Sequence, residues 1–239
     1  NEIINSSTYQ NQSANTGFTI NRDPVEFNGR QLNPGKFLLG NGQQLEINST
    51  PDIDRRIQTS MFISPKMVRW AIAYPSFLGN SVRGSFLREF RNAIQTFNVS
   101  CNPPEMIEVR SNRFQPQDML KEIEQVHRRN PLQFCLVILP GKKSKKGVGY
   151  KEVKAYCCSQ LGLATQMVLE GTIGREKGLR SVMNKVLIQI SAKINGTPWG
   201  ISDLPYVDKP TVVISFSPSK GVLSSVCSVN QPLTQYEIK

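Results

Sequence analysis

Five side chains that suit phosphate binding recur at regular spacing in the second half of the chain. Tyr150 and Lys154 are four residues apart, as are Gln189 and Lys193, so each pair shares one face if its segment is helical. Gln166 lies between the pairs and opens a short apolar run typical of a strand. Ammonium groups supply charge, amides supply directed hydrogen bonds, and an aromatic ring can stack on a base. The joint pattern therefore suits a terminal phosphate beside a stacked base.

The charge balance favours a polyanionic partner. The 239 residues include 29 Lys and Arg against 18 Asp and Glu, a formal net charge of +11. Such an excess is typical of proteins that bind nucleic acid, an anionic membrane or an acidic protein, and a generally basic soluble protein is the alternative. No apolar run approaches the roughly 20 residues needed to span a bilayer, so we expect no membrane partner.

The cysteine and histidine residues favour neither a disulfide framework nor a metal-dependent enzyme. The five cysteines are odd in number and contain no C-x-x-C, which indicates a reducing compartment, cytoplasmic or nuclear. His127 is the single histidine, so no multi-histidine metal site can form. The polar N-terminus shows no signal peptide and lacks an initiator Met, so we expect an excised fragment.

Strand and helix patterns alternate through the middle of the chain. Apolar runs predict strands at 67–75, 106–109, 134–139 and 166–169, and amphipathic spacing predicts helices at 81–97, 118–129, 150–158 and 179–194. This alternation predicts a Rossmann-like α/β fold with a central parallel sheet flanked by helices. No G-x-G-x-x-G follows a strand and no Walker sequence occurs, so we expect no nucleotide cofactor.

The two ends of the chain differ from this middle part. Residues 1–65 are rich in polar residues, Gly and Pro, and predict an extended, partly irregular segment with strand-like pieces at 17–20 and 36–39. After residue 200, the segments 210–216 and 221–229 predict two strands with a short connection.

A basic loop follows the most apolar strand. Residues 140–149 hold four lysines and lie at the carboxyl end of that strand, where ligands bind in open α/β sheets. A solvated surface loop is the alternative interpretation.

The spacing of the five side chains resembles one family closely. Tyr-x-x-x-Lys, eleven residues, Gln, and a later Gln-x-x-x-Lys before Asn-Gly are similar to the MID domain of Argonaute and Piwi proteins, as is VILPGKKSKKGVGYKEVKAYCCSQLGLATQ. In that family the domain anchors the 5′ phosphate of a small guide RNA for gene silencing. The resemblance implies that role for Tyr150, Lys154, Gln166, Gln189 and Lys193. It also implies a loop that reads the first base, formed by Lys142, Lys143, Ser144, Lys145, Lys146, Gly147, Val148 and Gly149.

Two departures from the commonest Argonaute pattern refine this expectation. Gln189 stands where many eukaryotic Argonautes have another lysine, and together with Thr197-Pro198-Trp199 it is more similar to the Piwi branch. The resemblance then implies that Mg²⁺ can supply the missing positive charge near Gln189, since Mg²⁺ prefers oxygen ligands. The basic loop is also longer than in close Argonaute relatives, which leaves its base preference open.

The resemblance also implies a domain order. We expect a linker over 1–65, a MID domain over 66–205 and the beginning of an RNase H-like PIWI domain over 206–239. The first PIWI strand usually ends in a catalytic Asp, but the matching neighbourhood here holds Ser215 and Ser217. We therefore expect a binding module rather than an enzyme, with guide RNA and the PIWI, PAZ and N domains as partners. The alternatives are a Rossmann-like nucleotide-phosphate-binding enzyme and an interaction module that has lost RNA binding.

Overall fold

A computed structural model describes residues 2–21, 23–30, 35–46, 53–110, 114–141, 149–174, 177–202, 204, 209–230 and 233–238. The chain divides into two compact units, Asn1–Asn33 and Pro34–Lys239. Within the described residues, no helix has both the length and the apolar character that crossing a bilayer requires.

The helices and strands of the described residues are numbered in chain order. The helices are α1 (Ser7–Thr16), α2 (Ile53–Arg56), α3 (Gly79–Ser81), α4 (Leu87–Thr96), α5 (Pro116–Arg129), α6 (Tyr150–Ser159), α7 (Glu170–Ile173) and α8 (Leu179–Lys193). The strands are β1 (Lys36–Leu38), β2 (Gln44–Glu46), β3 (Lys66–Met67), β4 (Trp70–Pro75), β5 (Ser100–Cys101), β6 (Glu105–Val109), β7 (Phe134–Leu139), β8 (Ala164–Leu169), β9 (Gly200–Ile201), β10 (Ile214–Ser219), β11 (Val222–Ser228) and β12 (Tyr236–Ile238).

The first unit contains a helix that the sequence patterns did not predict. The side chain of Ser6 caps α1 by accepting a hydrogen bond from the Tyr9 backbone N–H at 3.2 Å, and Gly17 ends the helix in the left-handed conformation. No residue of α1 is buried, so the helix has no apolar stripe from which to predict it. The strand-like piece expected at 17–20 is wrong, because these residues form neither helix nor strand.

The second unit is built on the predicted parallel sheet. Its four strands lie in the order β6-β4-β7-β8, and every neighbouring pair is parallel. The connections from β4 to β6, from β6 to β7 and from β7 to β8 each contain a helix, as parallel neighbouring strands require. The central strands β4 and β7 are buried along their whole length, which explains their continuous apolar sequences.

Alternating side chains on β4 and β7 serve two separate cores. One face packs against α4 and α8, and the opposite face packs against α5 and α6. The first core includes Trp70, Ile72, Tyr74, Phe134, Leu136 and Ile138, and the second includes Ala71, Ala73, Cys135, Val137 and Leu139. The result is the expected sandwich of helices on both faces of a parallel sheet.

The helix predicted at 81–97 is confirmed with one irregularity. It begins as α3, widens into a π-helical turn at Val82–Phe86 and continues as α4. Val82, Phe86 and Phe90 are buried along its length, so the apolar spacing that predicted the helix faces the first core.

Residues before and after the parallel sheet pair with each other in a way that local patterns could not show. Strand β1 lies between β2 and β9, antiparallel to both, and Ile63 bridges Thr197. Strand β3 pairs in parallel with β5.

The last sheet is antiparallel, in the order β10-β11-β12. The hairpin expected from the sequence is confirmed, although its first strand begins at Ile214 rather than at residue 210. Lys220 and Gly221 both have positive φ, 48° and 80°, as a tight two-residue turn requires.

Candidate functional site

The beginning of α6 places Tyr150 and Lys154. Gly149 precedes the helix with φ 81°, and a Cβ atom there would come within 2.6 Å of Pro116 Cγ, so this tight entry favours glycine. Val153 and Cys157 of α6 are buried in the second core, which fixes how the helix lies on the sheet. One turn after Tyr150, the Lys154 ammonium donates a hydrogen bond to Thr165 Oγ1 at 3.2 Å.

The end of α8 places Gln189 and Lys193. Leu187 and Ile190 hold the helix against the first core, while Gln189 is on the exposed side. The Lys193 ammonium donates to the Thr165 carbonyl oxygen at 2.8 Å and to Gln166 Oε1 at 2.6 Å. Lys193 belongs to the last turn of α8, where the helix dipole favours a cation.

The edge strand β8 joins these two helices. Thr165 and Gln166 are adjacent, so their side chains point to opposite faces of the sheet, and both are buried. Gln166 Nε2 donates to Gln189 Oε1 at 2.8 Å. A continuous hydrogen-bond network, here called the lysine–glutamine cluster, therefore comprises Lys154, Thr165, Gln166, Gln189 and Lys193.

Four of the five residues predicted to form one site are thus in one network, and Thr165 is an addition that the sequence reasoning missed. Tyr150 stands one helical turn before Lys154 with 42% of its surface exposed. Among the hydrogen bonds of the described residues, none joins the Tyr150 hydroxyl to the cluster. Its exposed ring remains free of the network and lies on the same helix.

Two lysines give the cluster its positive charge. No ion pair of the described residues includes Lys154 or Lys193. Partial burial lowers the pKa of the Lys193 ammonium, and the neighbouring charge of Lys154 lowers it further. Both ammonium groups donate only to neutral oxygens, so each keeps donors and charge available for an anion.

A nearby thiol does not offset this charge. Cys157 lies close enough to Lys154 to sense its charge, but burial raises the pKa of the thiol to about 11. The thiol is therefore neutral at physiological pH. All five cysteines are free, with no disulfide among them.

The cluster lies along the edge of the sheet rather than at the carboxyl ends of its strands. Thr165 and Gln166 are the second and third of the six residues of β8. Helix α8 runs back along the sheet after β8, so its last turn returns beside the first half of that strand. The cluster therefore lies at a different part of the sheet from the carboxyl end of β7, where the sequence places the start of the basic loop.

Several predicted residues cannot be compared with the structure. Lys142, Lys143, Ser144, Lys145, Lys146, Gly147 and Val148 lie outside the described residues. The base-reading role of this loop stays a prediction. Gly149 is described, and its place at the start of α6 is consistent with a loop that leads directly to Tyr150.

A separate cavity of about 480 Å³ lies elsewhere in the fold. It is lined by residues near the π-helical turn and the start of α8, including Ser81, Ser85, Arg88 and Arg180. None of the cluster residues contributes to it. Glu89 in its wall pairs with Arg88, so this cavity offers a phosphate less unpaired positive charge than the cluster does.

Comparisons with known proteins agree with the fold. A family model described as the Piwi domain matches residues 134–224, which run from β7 into β11. The Piwi-like protein Ago3 of Bombyx mori is 21% identical over 99% of this chain, which covers 25% of that protein. These results confirm the predicted resemblance: the chain is similar to Piwi-like and Argonaute proteins, and it covers about a quarter of the length of this relative.

Solved structures show the same fold. The crystal structure of Drosophila Piwi matches 88% of this chain with a TM-score of 0.73 at 20% identity, over 29% of its own length. The Kluyveromyces polysporus Argonaute, crystallised with a guide RNA, matches 87% of this chain with a TM-score of 0.61 at 14% identity, over 28% of its length. The chain thus spans between a quarter and a third of the relatives compared here.

Proposed function

We propose that the lysine–glutamine cluster binds the 5′ phosphate of a small guide RNA, as part of a Piwi-like Argonaute in RNA-mediated gene silencing. The observation that carries this proposal is the pair of ammonium groups, Lys154 and Lys193, held at one buried threonine with only neutral acceptors. A terminal phosphate carries up to two negative charges at neutral pH and provides the missing counter-charge.

The contacts of the cluster indicate how the phosphate would be held. Each ammonium has three N–H donors, and the described contacts occupy one donor of Lys154 and two of Lys193. The Gln166 and Gln189 amides already bond to each other, so both are fixed in orientation beside the lysines. Tyr150, exposed one turn earlier on α6, would stack on the first base.

The fold comparison supports this assignment. The Kluyveromyces Argonaute that shares the fold is described with a guide RNA. We extend that ligand class to this chain, with the remaining PIWI, PAZ and N domains of a longer protein as partners in the cytoplasm or nucleus. The net charge of +11 favours the same class of ligand.

A divalent ion at this site would depend on the ligand itself. Among the described residues, no group of His, Cys, Asp and Glu could hold a metal ion. The Gln189 amide oxygen is a suitable oxygen ligand for Mg²⁺, but it already accepts a hydrogen bond from Gln166. We propose that Mg²⁺, when it takes part, is held chiefly by phosphate oxygens with Gln189 as a contributing ligand.

We also propose that this polypeptide does not cut RNA. Cleavage by two divalent ions needs several carboxylates that bind them. Strand β10 carries Ser215 and Ser217 where the resemblance implies the first carboxylate, and both are exposed. Hydroxyl groups are neutral and bind such ions weakly in comparison.

A pair of guides tests the main proposal. A short RNA with a 5′ monophosphate and the same RNA with a 5′ hydroxyl are titrated at equal ionic strength. We expect the phosphorylated RNA to bind at least about tenfold more tightly, since charge-assisted hydrogen bonds contribute about 1.5–3 kcal/mol each. Equal affinities would reject 5′-phosphate recognition and favour an interaction module that has lost this function.

A further inference from the structure

The buried threonine of β8 connects two lysines through two different atoms. Thr165 is 1% exposed. Its side-chain oxygen accepts from Lys154 at 3.2 Å, while its backbone oxygen accepts from Lys193 at 2.8 Å. One residue therefore sets the positions of two ammonium groups that come from separate helices.

Holding these groups together opposes their mutual repulsion. Like charges at short range disfavour each other, and Lys154 acts on Lys193 in this way. Lys154 makes its one described hydrogen bond to Thr165 Oγ1. Without that acceptor, no described hydrogen bond would hold the flexible Lys154 side chain beside Lys193.

We propose that Thr165 is a positioning residue of the phosphate site: its hydroxyl holds the Lys154 ammonium beside Lys193 before the ligand arrives. This inference rests on the proposed function, because it names how that site is prepared. The backbone carbonyl does the same for Lys193 and is present whatever the side chain. The hydroxyl is thus the part of the arrangement that a substitution can remove.

Thr165→Val removes the hydroxyl and keeps the branched shape of a buried side chain. We expect the affinity ratio of 5′-phosphate to 5′-hydroxyl RNA to fall by about three- to tenfold, the range expected for one net hydrogen bond. Thr165→Ser keeps the hydroxyl and should restore a ratio close to the parent value. An affinity ratio that is reduced in the Thr165→Val variant and close to the parent value in the Thr165→Ser variant supports the proposal.

A matched control separates positioning from general packing. Thr197 is also buried, at 4% exposure, and its hydroxyl lies 3.5 Å from that of Thr234, not from either lysine. Thr197→Val should leave the affinity ratio unchanged. If Thr165→Val leaves the ratio unchanged, or if Val and Ser lower it equally, the hydroxyl does not position the site and the proposal is wrong.

A measurement without RNA distinguishes failure of this inference from failure of the proposed function. The ¹⁵Nζ resonance of Lys154 reports its hydrogen bond directly. We expect Thr165→Val to shift the Lys154 resonance and to accelerate exchange of the Lys154 ammonium protons. The Lys193 resonance should stay unchanged, because Lys193 keeps its hydrogen bond to the backbone carbonyl of residue 165. An unchanged Lys154 resonance refutes the inference alone, whereas equal affinity of the parent protein for both RNAs refutes the phosphate site.

Discussion

Replacing Lys193 by methionine removes the most directly engaged charge of the cluster. The Lys193 ammonium donates hydrogen bonds to the Thr165 carbonyl oxygen at 2.8 Å and to Gln166 Oε1 at 2.6 Å, so two contacts fix its position in the cluster. A charge-assisted hydrogen bond is worth about 1.5–3 kcal/mol. Because the side chain keeps exposed surface, we take the lower end, which corresponds to about a tenfold loss of affinity for 5′-phosphorylated RNA.

The same substitution should not damage the fold. A lowered pKa means that the folded state binds the Lys193 proton less well than the unfolded state does. The charged form therefore costs stability below the folded-state pKa, and this cost disappears as pH rises above the ordinary lysine value. At neutral pH, Lys193→Met removes that cost and should leave the melting temperature equal or higher.

The assay is fluorescence anisotropy with end-labelled guides at fixed ionic strength. Each variant is measured with 5′-phosphate and 5′-hydroxyl RNA, because the ratio cancels the non-specific charge attraction. Lys121→Met is the matched control, since Lys121 is exposed on α5, against the opposite face of the sheet. It should weaken both RNAs equally and leave the ratio unchanged.

Two results would refute this reasoning. If Lys193→Met and Lys121→Met each lower the affinities for 5′-phosphate and 5′-hydroxyl RNA to the same extent, then only the net charge of the protein matters and the cluster is not a phosphate site. If Lys193→Met lowers the melting temperature markedly, the two hydrogen bonds of Lys193 stabilise the fold by more than its partly buried charge costs, and the expectation of an undamaged fold is wrong.

Four further expectations follow from the same geometry. Tyr150→Ala should weaken both RNAs by about 1–3 kcal/mol in anisotropy titrations, because stacking does not depend on the phosphate; an unchanged affinity would contradict stacking. Phosphate-dependent affinity, measured with a 2′-O-methyl guide as the pH rises, should fall at a pH below the ordinary lysine value of about 10.5, because the pKa of Lys193 is lowered. Lys154→Gln should move this fall to higher pH, and a fall at the same pH in both proteins would contradict the effect of Lys154 on the pKa of Lys193. Chelation of divalent ions should weaken guide binding, and Gln189→Lys should reduce that sensitivity; an affinity unaffected by chelator would reject metal assistance. A labelled complementary target incubated with guide and Mg²⁺ or Mn²⁺ should stay intact on a denaturing gel, and a cut at one fixed position would overturn this expectation.

The sheet and its helices could be predicted because their signals are local. The run at 134–139 is apolar throughout and became β7, buried on both faces. The four-residue spacing of Tyr150 and Lys154 placed them on one helix, and α6 begins at that tyrosine. Apolar spacing indicates amphipathic helices, and a short run that is apolar throughout and rich in β-forming residues indicates a buried strand.

The missed features depend on contacts between distant residues. Helix α1 has no buried face, so its pattern contains no apolar stripe. Strand β9 has two residues and pairs with β1, more than 150 residues earlier, so no local signal could reveal it. Short strands of this kind are defined by their partners rather than by their own sequences.

Thr165 shows the same limit within the site. A threonine in a strand is ordinary, because β-branched residues favour strands. Its importance arises only when α6 and α8 bring one lysine each to the two sides of β8. Spacing and family resemblance singled out the four other residues of the cluster, whereas the threonine that contacts both lysines could be found only from the fold.

Chemical-shift mapping with a short ligand tests the central claim most directly. A 5′-phosphorylated dinucleotide is added to the ¹⁵N-labelled chain, and the same dinucleotide with a 5′ hydroxyl is the control. We predict phosphate-dependent shifts at Thr165, Gln166 and Gln189 and at the Nζ groups of Lys154 and Lys193, with little change at Arg88 and Arg180 near the separate cavity. Phosphate-dependent shifts at that cavity without shifts in the cluster, or identical responses to both dinucleotides, would contradict the assignment.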